Sequence, residues 1–396
     1  MLQIRLAVSL ALSFVVAATT TTGCSSDEDT HPDQPLEDDS IEDGAGDGEA
    51  DDGVGDDCRA RVITLQASGG PNWWGLPDYS GAGVSTALLI DGFVYLVDAA
   101  DGIAGKWGDA GLNGSPNAEK LQQLRAAFIT HMHTDHISGL PVLMAQGTNP
   151  AQPGAGGPLP VYGPFSVEDT GPAPPGAPPG AGGGTRSGVE EFFAQLQQAL
   201  SVDLRADPRS FLTPINITLP ESVEGEASSA TPYPAMDPFV VYEDENVLVT
   251  ATLVNHFYPS FAYRFDTEFG SVTISGDTAR DTNGNLERLA RGSDYLLLEV
   301  ILDDEEFGVS FLDDLYGPPP HGTAAQAFRE RFSAIHVDSK ETGDVADDSE
   351  VDTLILHHLV PPPADPETRQ KYIEDARLGF SGRVEVARDL DEYCLD

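Results

Sequence analysis

Basic residues are scarce: 21 Lys and Arg stand against 65 Asp and Glu in 396 residues, a formal net charge of −44. Nucleic acid is gripped mainly by Lys and Arg neutralising phosphates, so this balance leads us to expect no nucleic-acid partner. It equally gives no basis for adsorption to an anionic lipid surface. Cysteine is rarer still, at Cys24, Cys58 and Cys394 only. Neither Cys58 nor Cys394 has another Cys or a His at ligand spacing, which argues against a Cys-based zinc site. In an oxidising compartment these two could close a disulfide across the folded body, worth about 4–5 kcal/mol in the chain-entropy view. Two unrelated thiols are the alternative. Long apolar runs are missing as well: Leu6 to Ala18 is the apolar stretch of the N-terminus, and it is too short to span a bilayer.

What is present organises the chain into three parts. Arg5, the apolar run and the small residues up to Gly23 have the layout of an export signal over residues 1–23. The stretch Thr21-Thr22-Gly23-Cys24 resembles a bacterial lipoprotein box, so the expectation is a protein exported to the periplasm or outer cell envelope. Its contact with membrane would run only through a lipid on Cys24; simple cleavage and release is the alternative. Residues 24–57 form an acidic tether, with fifteen Asp and Glu and no base in 25–57, too polar to fold. Without them fifty acids still face twenty-one bases, so the body over 58–396 is acidic too.

That body alternates strands and helices. RVITLQA is a strand; STALLI and FVYLVDAA flank Asp91-Gly92, a hairpin signal. Residues 119–126 read as a helix, AAFIT as a strand, and VEEFFAQLQQAL as an amphipathic helix. NVLVTATLVNH, FAYRFDT, SVTISGDT, DYLLLEV and DTLILHHL are further strands, and Ala324 to Phe332 a helix. Pro- and Gly-rich residues 148–187 are a surface insertion carrying the short strand LPVYGPF. Several strands are apolar throughout, which suits an α/β sandwich whose sheets are covered by helices.

The chemistry concentrates at His131-Met132-His133-Thr134-Asp135-His136. Three imidazoles and a carboxylate in six residues are costly to bury as a core, but on a loop after a strand they can converge. Imidazole nitrogen and carboxylate oxygen are the donors zinc prefers. Alternate residues of an extended segment face one way, so His131 and His133 can share a metal. Asp135 and His136 can reach a second. His256, Asp277 and His358 each end an apolar strand, where α/β sheets build their sites. Seven ligands give two centres with Asp277 between them, and room for a water that two cations would activate. Zinc is favoured on donor type, with manganese or iron as alternatives. Trp73 and Trp74 read as loop packing more readily than as a substrate platform. His336 reads as structural or surface, and Thr278 as a candidate to orient Asp277.

This pattern resembles the metallo-β-lactamase superfamily over nearly all of 59–396, and more narrowly its branch with ribonuclease Z and the metal-dependent arylsulfatases. THMHTDHISGLPVL resembles that branch's THxHxDHxxGL run, and VNHFYPSFAYRF its third-His segment. LLLEV sits where the branch has its Glu-containing HEAT motif, and His321-Gly322-Thr323 where it has HST. The resemblance implies a four-layer αββα sandwich and two zinc ions. His131, His133 and His256 would bind one, and Asp135, His136 and His358 the other. Asp277 would bridge, and Asp135 would also help to position water. His358 is preferred to His357 because the branch places its ligand before a Leu or Phe. His321, steered by Glu299, would give a proton to the leaving oxygen. Of HEAT only Glu299 survives. No long basic arm is visible, and an export signal would take the chain away from tRNA, so tRNA maturation is not expected. The implied activity is hydrolysis of a small anionic phosphodiester or sulfate-type ester by a hydroxide bridging the metals, with a homodimer as one oligomeric option. A lactonase or β-lactamase-type hydrolase, lacking the HGT-type His, is the runner-up. A surface binding protein that kept the fold is the third reading.

Overall fold

In a computed structural model, residues 58–70, 83–112, 121, 123–147, 159–169, 184–201, 212–228, 230–280, 282–302 and 334–395 are described. The export signal, Cys24, the acidic tether, Trp73, Trp74, His321 and the helix expected at 324–332 lie outside them.

The first half of the described chain builds one sheet. Its strands are β1 (Ala60–Ala67), β2 (Val84–Ile90), β3 (Phe93–Val97), β4 (Leu124–Phe128), β5 (Leu159–Gly163) and β8 (Leu212–Asn216), separated by a short hairpin of β6 (Val167–Asp169) and β7 (Gly184–Arg186). The second sheet comprises β9 (Phe239–Glu243), β10 (Val247–Leu253), β11 (Phe261–Thr267), β12 (Ser271–Ile274), β13 (Tyr295–Ile301), β14 (Thr353–Val360) and β15 (Arg383–Val386). The last strand, β16 (Asp391–Leu395), returns to pair with β1 in the first sheet. The orders are β16-β1-β2-β3-β4-β5-β8 and β15-β14-β13-β12-β11-β10-β9. β2 and β3 turn on Asp91 and Gly92, both at positive φ (49° and 82°), the backbone that Asp-Gly hairpins select.

Strands apolar on both faces are what a doubly covered sheet requires. Along β13, Leu296, Leu298 and Val300 meet the helices while Leu297 meets the other sheet; β14 repeats this with Leu354 and Leu356 against Ile355. Val62, Leu88, Tyr95 and Phe128 of the first sheet close on Val249, Tyr263, Phe265 and Val272 of the second. The outer face of the first sheet is covered by α1 (Ile103–Asp109), α3 (Leu140–Gly147) and α4 (Val189–Ala199). That of the second is covered by α6 (Asn285–Ala290), α7 (Ser339–Asp348) and α8 (Pro366–Ala376). Among the described residues the remaining helices are single turns, α2 (Thr134–Ile137) and α5 (Glu221–Glu224). The result is the αββα sandwich expected.

One local expectation fails. Within 119–126, read as a helix, Leu124–Arg125–Ala126 already belong to β4. Good helix formers lose here because β4 pairs in parallel with both β3 and β5 and buries its apolar residues in the two cores. Cys58 and Cys394 do form a disulfide, with Cα atoms 6.0 Å apart.

Candidate metal centre

The catalytic-type residues gather where strands of both sheets end. Thr130 and His131 continue from β4, and α2 presents Asp135 and His136. His256 follows β10 and Asp277 follows β12. His358 lies in β14, at φ 46°, where the register with β13 slips by one residue: Glu299 faces His357 and Val300 faces Leu359. The bulge makes His358 the extra residue and aims its ring out of the pleat. Gly69 lets the two sheets meet there. A Cβ on it would lie 2.4 Å from Cε1 of His358, and its N–H donates to Leu359 O at 3.0 Å.

Asp277 is the hub. Its Oδ1 lies 3.2 Å from Nε2 of both His136 and His358, while its Oδ2 lies 3.6 Å from His131 Nε2 and 3.7 Å from His256 Nε2. His133 joins the second set, with Nδ1 2.9 Å from His131 Nε2 and 3.3 Å from His256 Nε2. Asp135 joins the first, with Oδ2 3.3 Å from His358 Nε2 and 3.8 Å from His136 Nε2. Among the described residues three groups of donor atoms result, His131–His133–His256–Asp277, Asp135–His136–His358 and an overlapping Asp277–His336–His358, the atoms of each within 4.8 Å of one another; the first two use the expected ligands. His357 goes elsewhere: its Nε2 meets Gln66 O at 3.3 Å and Thr86 Oγ1 at 3.4 Å.

The donor set fits divalent cations. His136 Nε2 and Asp277 Oδ1 are buried and, among the described residues, make no hydrogen bond although they lie 3.2 Å apart. Buried polar atoms are normally paired, so such orphans aimed at a common point are what a cation would satisfy. Burial holds the His131, His133 and His256 imidazoles below their usual range, His133 at about 4, which keeps them neutral as ligands must be. Burial also works against a charged His136 and a charged His358. There it is outweighed, by Asp277, Asp98 and Asp135 for His136 and by Asp277 and Asp135 for His358, so both are raised.

Three supporting residues were not assigned these places from sequence. Asp98, at φ 57° just past β3, accepts from His136 Nδ1 at 2.7 Å and from Thr130 N and Oγ1 at 2.8 Å each. It thereby fixes the His136 tautomer and leaves Nε2 for the centre. The carbonyl of Ile335 does the same for His256, 2.8 Å from Nδ1. His336, expected to be structural or surface, is buried in the centre with Nδ1 3.0 Å from Glu299 Oε1 and 3.9 Å from Asp277 Oδ2. Glu299 was expected to steer His321. His321 lies outside the described residues; within them Glu299 Oε1 holds His336, together with the N–H groups of Thr278 (2.9 Å) and Val337 (3.3 Å). Thr278 supports Glu299 through its backbone and not Asp277 through its hydroxyl, which donates to Ala279 O. An Asp ending a strand and a His before a helix N-cap at Asp338 are the sequence signals that existed for Asp98 and His336. Asp98→Asn keeps the shape but can no longer anchor the ring as a charged acceptor. It should weaken metal affinity about 10–100-fold, read by competition against a chromophoric chelator; unchanged affinity would remove Asp98 from the site.

Fold and site are those of a metal-dependent hydrolase, and residues 81–181 match the family model described as Metallo-beta-lactamase superfamily. The chain is similar to ribonuclease Z. That of Mycobacterium bovis is 25% identical over 335 residues, covering 83% of this chain and 96% of the relative. Two solved structures share the fold. Human tRNase Z, short form, has TM-score 0.52 at 16% identity, covering 85% of this chain and 99% of that one. The metallo-beta-lactamase fold protein YhfI from Bacillus subtilis has TM-score 0.51 at 16% identity, covering 84% and 98%.

These relatives overturn the expectation of no nucleic-acid partner, since proteins named for acting on RNA align over almost their whole length. Net charge sums the entire surface and does not describe the site. The field at a site is set by groups within a screening length of about 8 Å, and bound cations dominate it.

Proposed function

We propose that the chain hydrolyses phosphodiester bonds at a two-cation centre, with zinc in both places. His131, His133 and His256 would hold one ion, Asp135, His136 and His358 the other, and Asp277 both. The observation that carries this is Asp277, whose two carboxylate oxygens each face a different group of imidazoles. Such a pair, when bound, activates water and neutralises charge on an anionic ester. The named activities of the relatives support a phosphodiester, and an RNA or nucleotide ester is within this reading. The disulfide supports the reading of residues 1–23 as an export signal, because such bonds persist in oxidising compartments.

The chain's own residues do the rest. Asp98 and Ile335 O hold His136 and His256 in the tautomers that offer Nε2. Glu299 holds Nδ1 of His336, so the ring can carry a mobile proton on its other nitrogen and pass it to the departing alkoxide or phenoxide. The proton-donor role expected of His321 passes in this proposal to His336, supported by its contact with Glu299. His336→Ala should lower kcat about 10²-fold, and more for esters whose leaving group is a poor one. Equal loss for good and poor leaving groups would count against proton donation.

The function itself is tested with the full chain on bis(4-nitrophenyl) phosphate, a short RNA, an aryl sulfate, a lactone and a cephalosporin. Hydrolysis of a phosphodiester that a chelator abolishes and added zinc restores is the expected result. Turnover indifferent to chelator, or confined to the sulfate, lactone or cephalosporin, would overturn it.

A further inference from the structure

Beside the centre lies a cavity of about 360 Å³, at the small end of ligand-binding cavities. His131 and His133 form its inner edge. Its walls are aromatic: Phe165 after β5, Phe192 on α4, and Phe257 and Tyr258 after β10. Phe257 stands edge-on to both His133 (5.0 Å) and His256 (5.1 Å), so it joins cavity to centre. Phe165 and Tyr258 contact each other at 5.6 Å, edge to face. The chain has 65 acids and 21 bases, yet no carboxylate is among the described residues lining this cavity, and one guanidinium is. That base is Arg186, whose Cζ lies 5.6 Å from the centroid of Phe257.

Arg186 is placed there by a built element. β6 and β7 pair antiparallel with Val167 opposite Arg186. The hairpin base is tied to α4 through Ser166, whose Oγ accepts from Gly188 N at 2.7 Å and donates to Glu191 Oε2 at 2.5 Å.

Resting on the phosphodiesterase reading, we infer that this cavity is the substrate-selecting subsite: it takes one aromatic ring system of the ester, an aryl group or a nucleobase, with Arg186 meeting a second negative group on it. Four rings offer faces and edges to a planar guest, a mode that favours aromatic groups without reading their edges. A guanidinium with its Cζ 5.6 Å from the centroid of one of them supplies directional donors for a carboxylate or phosphate. Its place beside the centre and the missing carboxylates make the cavity hospitable to anions in a protein whose surface repels them.

The test is calorimetric binding to the metal-loaded full chain, independent of turnover. The probes form two pairs, phenylphosphonate against methylphosphonate and adenosine 5′-monophosphate against ribose 5-phosphate. The aromatic member should bind about tenfold tighter in at least one pair; the pair with the larger ratio identifies aryl or nucleobase. Phe192→Ala should shrink that ratio about threefold. In Arg186→Gln, 4-carboxyphenylphosphonate should lose whatever advantage it holds over phenylphosphonate in the unaltered chain. Equal affinity within both pairs, in a chain that does hydrolyse phosphodiesters, overturns the subsite and leaves the reaction standing. An aromatic preference in a chain that hydrolyses none supports the cavity while removing the reaction.

Discussion

Asp277→Ala is expected to leave a folded protein that retains less than half the metal of the unaltered chain and has lost about 10³-fold or more in kcat/KM. The size follows from its position. Losing the one carboxylate that faces both groups of imidazoles should forfeit several kcal/mol of charge stabilisation at the reacting centre, and each 1.4 kcal/mol is about tenfold in rate. Asp135→Ala is the contrast, since among the described imidazoles its Oδ2 lies within 4 Å of those of His136 and His358, which belong to one group. It should empty one position and spare the other. Asp277→Asn keeps the shape but presents an amide to one set of imidazoles, so it too should hold one ion poorly. Metal per chain by mass spectrometry, with circular dichroism as the fold control, separates these outcomes. Asp277→Ala with full metal content and near-native kcat/KM would mean that the two groups of imidazoles are not joined through this carboxylate.

Much of this centre was legible because its donors are chemically conspicuous. HMHTDH announces itself, and His256, Asp277 and His358 stand where apolar strands stop. The strands around them were legible for the same reason that they are buried: both faces are apolar. Three kinds of information were not in the pattern. The bulge that selects His358 over His357 is a register slip between β13 and β14, and register depends on a partner strand. Asp98 looks like any polar residue closing a strand; only the first sheet's approach to α2 puts it 2.7 Å from His136. His336 is brought to Glu299 because Val337 and Asp338 run alongside Ile301 as a short bridge before α7, and that packing spans more than thirty residues of chain. The helix misread at 124–126 belongs with these, since propensity is local and the pairing of β4 with β3 and β5 is not.

Removing the Cys58–Cys394 disulfide should cost stability without touching the centre. The bond joins residues 336 apart in sequence, enclosing nearly all of the described chain. In the chain-entropy account such a cross-link restricts mainly the unfolded state, and for a loop of this length about 6 kcal/mol, somewhat above the roughly 4–5 expected from the sequence, should be lost from the unfolding free energy when it is absent. The native fold has no need of it for geometry, because β1 and β16 already pair from Ala60–Leu395 to Thr64–Asp391. Cys58 precedes the start of β1, whereas the other end of that strand leads to Gly69 and Gly70, which meet Leu359 O and Asp135 Oδ2. Eight residues at about 3.3 Å each separate the two ends. The Cys58→Ala/Cys394→Ala chain should therefore keep its metal content and kcat/KM while its urea midpoint falls well below that of the oxidised protein. A loss under about 1 kcal/mol would show that the unfolded chain gains little freedom when the bond is cut, and that pairing of β1 with β16 persists there. A loss of metal alongside stability would instead reveal that the strand transmits strain along its length to Gly70 and Asp135.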